Sequence, residues 1–426
     1  MEPLSEKMDN PEHTWKRLKQ GVLVLLLFSF FLNAFPHVNA IRDIAFVLAV
    51  IGFLALVVKK RIRPCLASPL SLPLLLLLVW AFITSVFAYK TSDSFDSLFS
   101  HLFKYLILLF VTANVIDNHA KIRWLTRIFI VSTLFFCIGA VVYYYAIQPN
   151  PWSARLGFSA AAHNIICFGA NLAVIYSIYE FKVTKSFYIK SLVVVSALVF
   201  IATTYLTQSR GGILALAASG ICLFLLEKKI KILFALLLMI GVGLMVSPIK
   251  DRFLDFKSIS NQHRIGATYY YLEVFKDHPV MGIGYAIDIF DNENVYASET
   301  YFQRIPEVYR KDIYTGFPHS MFLSIGVRTG VVGVGLYLYL LAVFFYMGIK
   351  IALRGDGDPS KTMAATLVAA MVMFLVGGLF EPVFIHHLDT IFFSLLAMIA
   401  ALWCAAFPDA RFPGSGLGLA GRRRQP

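Results

Sequence analysis

The chain has 426 residues, 58% of them hydrophobic and 15% charged, with a mean hydropathy of +0.71, a balance that excludes a soluble globular domain. Its apolar runs approach the roughly 20 residues that cross a hydrocarbon core, and none alternates with the two-residue period of a barrel strand, so an all-α polytopic membrane protein is predicted. The net charge of +13 lies mostly in short connections, where it faces anionic headgroups rather than nucleic acid.

In chain order the apolar runs fall at 20–35, 44–58, 70–88, 101–116, 128–146, 158–179, 191–207, 211–226, 232–247, 320–347, 363–380 and 390–407, which predicts about twelve transmembrane helices. The first run follows Lys16, Arg17 and Lys19 as a signal peptide would. No small-residue cleavage site follows it, so an uncleaved first helix is expected. The five cysteines lie in or beside apolar runs without disulfide or zinc spacing, as packing residues do.

Alternate connections carry the basic residues: Lys59 to Arg63, Lys121 to Arg127, Lys182 to Lys190, Lys228 to Lys231, and Lys350 to Lys361. The intervening ones hold little beyond Arg42, Lys90 and Arg155. By the positive-inside rule both termini are cytoplasmic. The chain divides into nine helices over 1–247, one large loop outside the cytoplasm over 248–319, three helices over 320–410, and a basic cytoplasmic tail over 411–426. Within the loop, Ile265, Tyr269, Leu272 and Phe275 recur at helical spacing. This predicts an amphipathic helix, on the membrane surface or against the bundle, that stops at Asp277-His278-Pro279.

Charged residues at membrane boundaries are the candidates for chemistry. Arg210 sits in Thr207-Gln208-Ser209-Arg210-Gly211-Gly212, as either an interfacial anchor or a guanidinium fork for a diphosphate. Arg264, at the expected start of the loop helix, is either a solvated surface residue or part of an anion site at a helix N-terminus. His319 lies where the loop re-enters the membrane. It is either a cap-region residue or a neutral imidazole placed to accept a proton. Secondary candidates are Arg155 with His163-Asn164, Arg328, and Glu381 with His386, His387 and Asp389. Adjacent histidines on one helix point in different directions, so a hydrogen-bond network fits this last group better than a metal. Gly282-Ile283-Gly284 lacks the third glycine and preceding strand of a dinucleotide site and is expected to form a tight turn.

Taken together, Gln208-Ser209-Arg210-Gly211-Gly212, Arg264-Ile265-Gly266, His278-Pro279…Gly282-Ile283-Gly284 and the loop-terminal His319 resemble the O-antigen ligase and polymerase superfamily. The single dominant outer loop most closely resembles an O-antigen ligase. One departure is Ser320, where many members carry asparagine. The resemblance implies a GT-C-like membrane fold in a bacterial inner membrane with its active site facing the periplasm. It also implies transfer of a polysaccharide from undecaprenyl diphosphate to lipid A-core oligosaccharide. Arg210, Arg264 and Arg155 would bind the diphosphate and His319 would be the base, with Arg328, Glu381 and His386 in support. The loop has no convincing Asp-x-Asp motif, so no metal or other cofactor is expected. A polymerase or protein O-oligosaccharyltransferase of the same superfamily fits the same motifs. A transporter of an anionic substrate fits the helix number, though the two halves show no similarity and the charges avoid the midplane.

Overall fold

The computed structural model describes residues 11–35, 37–62, 64–65, 68–158, 163–228, 241, 259–286, 299–310, 318–354, 359–381 and 387–407. These residues are helical, with no β-strand among them. The helices are α1 (Pro11–Leu32), α2 (Asn39–Val58), α3 (Ser71–Val86), α4 (Thr91–Ser97), α5 (Lys104–Val115), α6 (His119–Val141), α7 (His163–Val183), α8 (Phe187–Leu206), α9 (Arg210–Glu227), α10 (Ile259–Asp277), α11 (Glu299–Arg304), α12 (Met321–Ala352), α13 (Pro359–Gly378) and α14 (His387–Ala406).

Nine spans among the described residues are long and apolar enough to cross a membrane, which makes the chain a polytopic α-helical membrane protein. The expected count of about twelve is not reached. α3 has an apolar run of only 16 residues, and α1 carries Glu12, Lys16, Arg17 and Lys19 in its first half. The run at 232–247 lies outside the described residues apart from 241. One predicted span is also longer than its apolar run. α4, a π-helical stretch over Leu98–Phe103 and α5 form one rod from Thr91, because the polar stretch TSDSFDS continues the helix that the apolar run only begins.

α14 is the axis of the bundle: 89% of its apolar window is buried inside the protein, against 28% for α2 and for α8. It packs on α5, α13 and α12, while α9 lies along α13 and α7 along α8. At one end, Glu180 of α7, only 1% exposed, is held by Arg123 Nε at 2.8 Å and Arg127 Nε at 3.1 Å from α6. Two of the basic residues that set the predicted orientation therefore also neutralise a buried carboxylate, without which that charge would be costly.

The loop helix α10 does end at Asp277, but of its expected apolar stripe only Phe275 packs inward, against the buried cluster of this helix. Ile265, Tyr269 and Leu272 are exposed, and the buried face is Ala267, Tyr270, Tyr271 and Val274, packed with Ile283, Ile305 and Val327. Two tyrosines on the inner face blur the contrast on which the periodicity depends. α10 also begins five residues before Arg264, so Arg264 lies within the helix rather than at its N-terminus.

α12 is broken at Gly330, whose φ of 69° and ψ of −174° belong to a region open almost only to glycine. The break frees backbone groups at membrane depth, where each must find a partner. Segment 278–286 and α3 supply them. Val327 O accepts from Ile283 N at 2.9 Å, Arg328 O from Gly284 N at 3.2 Å, and Thr329 O from the Trp80 indole at 2.8 Å, while Val331 N donates to Pro279 O at 2.7 Å. Gly282-Ile283-Gly284 is thus a strap laid into the broken helix rather than a tight turn. A Cβ at Gly282 would lie 2.5 Å from the Arg328 carbonyl carbon.

Candidate active site

The N-terminus of α9 organises the site. Gln208 takes a left-handed φ of 49° and its side chain donates to Ser153 O at 2.9 Å, which turns the chain sharply between α8 and α9. Ser209 then caps α9, its Oγ accepting from Gly212 N at 3.2 Å, as a serine at this position does. Arg210 is the first helical residue. Gly211 and Gly212 admit close neighbours: a Cβ on Gly211 would meet the Phe380 ring at 3.0 Å, and one on Gly212 would overlap Cys167 Sγ.

Asn164, Cys167 and Asn171 share one face of α7, turned to this helix start. Asn171, 1% exposed, donates to Gly212 O at 2.8 Å and accepts from Thr204 Oγ1 at 2.9 Å. Asn164 accepts from Ser209 Oγ at 2.8 Å and donates through Nδ2 to Glu381 Oε1. The same carboxylate oxygen accepts from Arg264 Nη2 at 2.7 Å. Helices α7, α9 and α10 and the segment after α13 therefore converge on Glu381. Burial pushes the Glu381 carboxyl above its usual range, and the charges of Arg264 and Arg155 only partly oppose that. Arg155 Nε donates to Thr207 O at 3.1 Å, and His163 Nδ1 lies 2.7 Å from Leu156 O, which fixes the short connection that carries Arg155.

His319 follows the buried Pro318 and precedes Ser320, the cap position of α12. Its Nδ1 is buried with no hydrogen-bond partner among the described residues. Burial, and then the charge of Arg264, push its pKa down to about 4, so the ring is neutral near pH 7 and able to accept a proton. A separate cavity of about 100 Å³ lies between α1, α6, α7 and α14, lined by Phe30, Phe129, Phe136, Ile165, Ile166 and Ile391 among others, and none of the cluster residues lines it.

The structure joins Arg264 directly to Glu381 and places Arg155 and His319 within electrostatic reach of that pair. Arg210 stands next to the bonded Ser209. Arg328 does not join them. Deeper in α12 and 3% exposed, it donates to Tyr285 O at 2.6 Å and stacks over the Tyr285 ring at 4.3 Å. It shares a separate cavity of about 40 Å³ with His101 and Asp389. His386 lies outside the described residues. Sequence reasoning gave Asn164 only a secondary place and missed Asn171 and Phe380. The available signal was two asparagines on one face of an otherwise apolar helix, costly in a membrane unless paired.

These features define a polytopic membrane protein with an arginine-rich site at one end of its bundle. Residues 195–338, from α8 into α12, match the O-antigen ligase family model. No curated protein matches the chain.

Proposed function

We propose that the protein is an O-antigen ligase that transfers a polysaccharide from undecaprenyl diphosphate to lipid A-core oligosaccharide at the periplasmic face of the inner membrane. The observation that carries this reading is the convergence on Glu381 of Arg264, of Asn164 with the capped start of α9, and of the Arg155 charge, with neutral His319 alongside. Arg264 and Arg155 against one carboxylate, together with the positive end of the α9 dipole where Arg210 begins the helix, suit a diphosphate.

In the reaction, an acceptor hydroxyl oxygen bonds to the anomeric carbon as the bond from that carbon to the phosphate oxygen breaks. The hydroxyl proton passes to His319, and undecaprenyl diphosphate leaves with the bonding electron pair. A single displacement inverts the anomeric centre. Arg210 and Arg264 stabilise the leaving charge, with Arg155 behind them, without a metal. A pKa near 4 makes a weak base, but a bound diphosphate offsets the Arg264 charge and raises the imidazole pKa part of the way back toward its usual value, strengthening the base when donor is present.

The test is transfer by the purified, reconstituted protein given undecaprenyl-diphosphate glycan and lipid A-core, with and without EDTA. Joined product in both conditions is expected. Lengthened glycan on undecaprenyl diphosphate would mean a polymerase, glycan on an added acceptor protein would mean an oligosaccharyltransferase, and glycan lipid moved across the bilayer without transfer would mean a transporter.

A further inference from the structure

At the far end of α14 from Asp389, the ends of α2, α5 and α14 and the first half of α1 enclose a cavity of about 320 Å³, lined by Lys19, Arg61, Pro64, Asn114, Asp117 and Cys404 among others. We propose that it binds the phosphate of an anionic glycerophospholipid from the leaflet at that end of the bundle.

The wall is built rather than incidental. Asn114, 8% exposed, accepts from Cys65 N at 2.6 Å and donates to Phe110 O at 2.8 Å, pinning the α2–α3 connection to α5. The charges are unequal. Asp117 is already engaged by Lys121 at 2.8 Å and by Asn118. Arg61 pairs with Glu12, and its guanidinium lies 5.7 Å from the Trp15 ring centroid. Lys19 has no anionic partner among the described residues, although it stands on the rim of the cavity. Among the described residues that positive charge on the rim is left unmatched.

The floor decides between a soluble anion and a lipid. Behind the charged rim lie Ala113, Ala401 and Cys404, of which Ala401 and Cys404 are buried. A hydrated phosphate gains nothing from such a surface, whereas the glycerol and first methylenes of a lipid cover it. Ile62 and Pro64 of the α2–α3 connection add apolar surface to the same wall. Trp15 beside Arg61 is the pairing found at a headgroup boundary, and basic pockets between helices at this face take anionic headgroups.

The experiment uses the full-length protein in detergent, with retained lipid read by native mass spectrometry and melting temperature read in parallel. The probes are phosphatidylglycerol, phosphatidylcholine and inorganic phosphate. Phosphatidylglycerol should be retained and should raise the melting temperature. Lys19→Ala should weaken its retention about fivefold, the loss expected for one cation near the lipid surface, and Lys19→Glu should weaken it further. Lys350→Ala, which removes a cation over Tyr346 and Trp403 on another face, should leave it unchanged. Arg61→Gln serves as a second variant, because it removes the other rim cation while leaving the Lys19 side chain intact, and it should also weaken retention of phosphatidylglycerol. Unchanged retention in Lys19→Glu overturns the proposal, as does equal retention of phosphatidylcholine. Equal stabilisation by inorganic phosphate also overturns it, in favour of a soluble anion. The readout is binding, so it stands or fails independently of the transfer reaction.

Discussion

Ser209 donates to Asn164 Oδ1 at 2.8 Å, and through that bond the start of α9 is tied to the carboxylate that holds Arg264. The backbone start of α9 and the Arg264 side chain come from different helices, yet one carboxylate and one amide link them. A diphosphate clamp needs that kind of fixed spacing, because displacement of a positioning group by about an ångström is enough to cost a large part of the rate.

The first prediction concerns this linkage. Arg264→Ala and Glu381→Gln should each reduce transfer, and the double variant should lose less than the two combined. The coupling should be about 0.5–3 kcal/mol, the range for groups in direct contact. Additive losses would mean that Glu381 acts on something other than Arg264. The measurement is kcat/KM for donor across the four proteins.

Arg210→Lys keeps the charge and loses the planar fork, so activity at limiting donor should fall sharply while the melting temperature holds. Transfer at the parent rate would return Arg210 to the role of an interfacial anchor.

His319→Ala and His319→Gln should lower turnover by about 10² to 10⁴ with donor binding and folding retained. Loss of a mere cap would instead cost about 1 kcal/mol of stability and little rate. The pH dependence separates the two further. Neutral His319 is the active form, so activity is lost as pH falls through its pKa. For kcat/KM the acid limb should lie near pH 4, the value in the free protein. For kcat it should lie higher, because bound diphosphate offsets Arg264. Coincident limbs would rule out coupling between donor and base.

Gly330→Ala should lower the melting temperature by forcing a side chain into the left-handed break, at about 1–3 kcal/mol of backbone strain, and into the Val280 carbonyl. Gly335→Ala in the same helix meets nothing within 4 Å and should be neutral or slightly stabilising. Equal melting temperatures for the two would show that the break tolerates a side chain.

Cysteine labelling should place Asn294 in the periplasm and positions near Lys60 and Lys229 in the cytoplasm, following the alternation of basic connections. Periplasmic labelling near Lys229 would reverse the orientation.

Helix existence was legible in the sequence because a membrane demands long apolar runs, and the stop at Asp277 because proline follows it closely. Which face of each helix turns inward was not. Lipid and protein interior are equally apolar, so Ile265, Tyr269 and Leu272 give the same periodicity whether they face the bundle or not. Candidate residues could be picked out singly, since charge at a membrane boundary is conspicuous. Their grouping could not. Arg264 and Glu381 are separated by the rest of α10 and all of α11, α12 and α13, and nothing local marks them as partners. Arg328 looked like a site residue for the same reason that Arg264 did, and only its bonds to Tyr285 separate the two.

The strap laid into α12 limits how the protein can move. Four hydrogen bonds join the break to segment 278–286 and to Trp80, and lifting that segment would strand backbone groups where water is scarce. The described segment 278–286 of the large loop is therefore riveted to the bundle rather than hinged as a free flap. In the proposed reaction, donor and acceptor would have to reach Arg264 and His319 with that strap still seated.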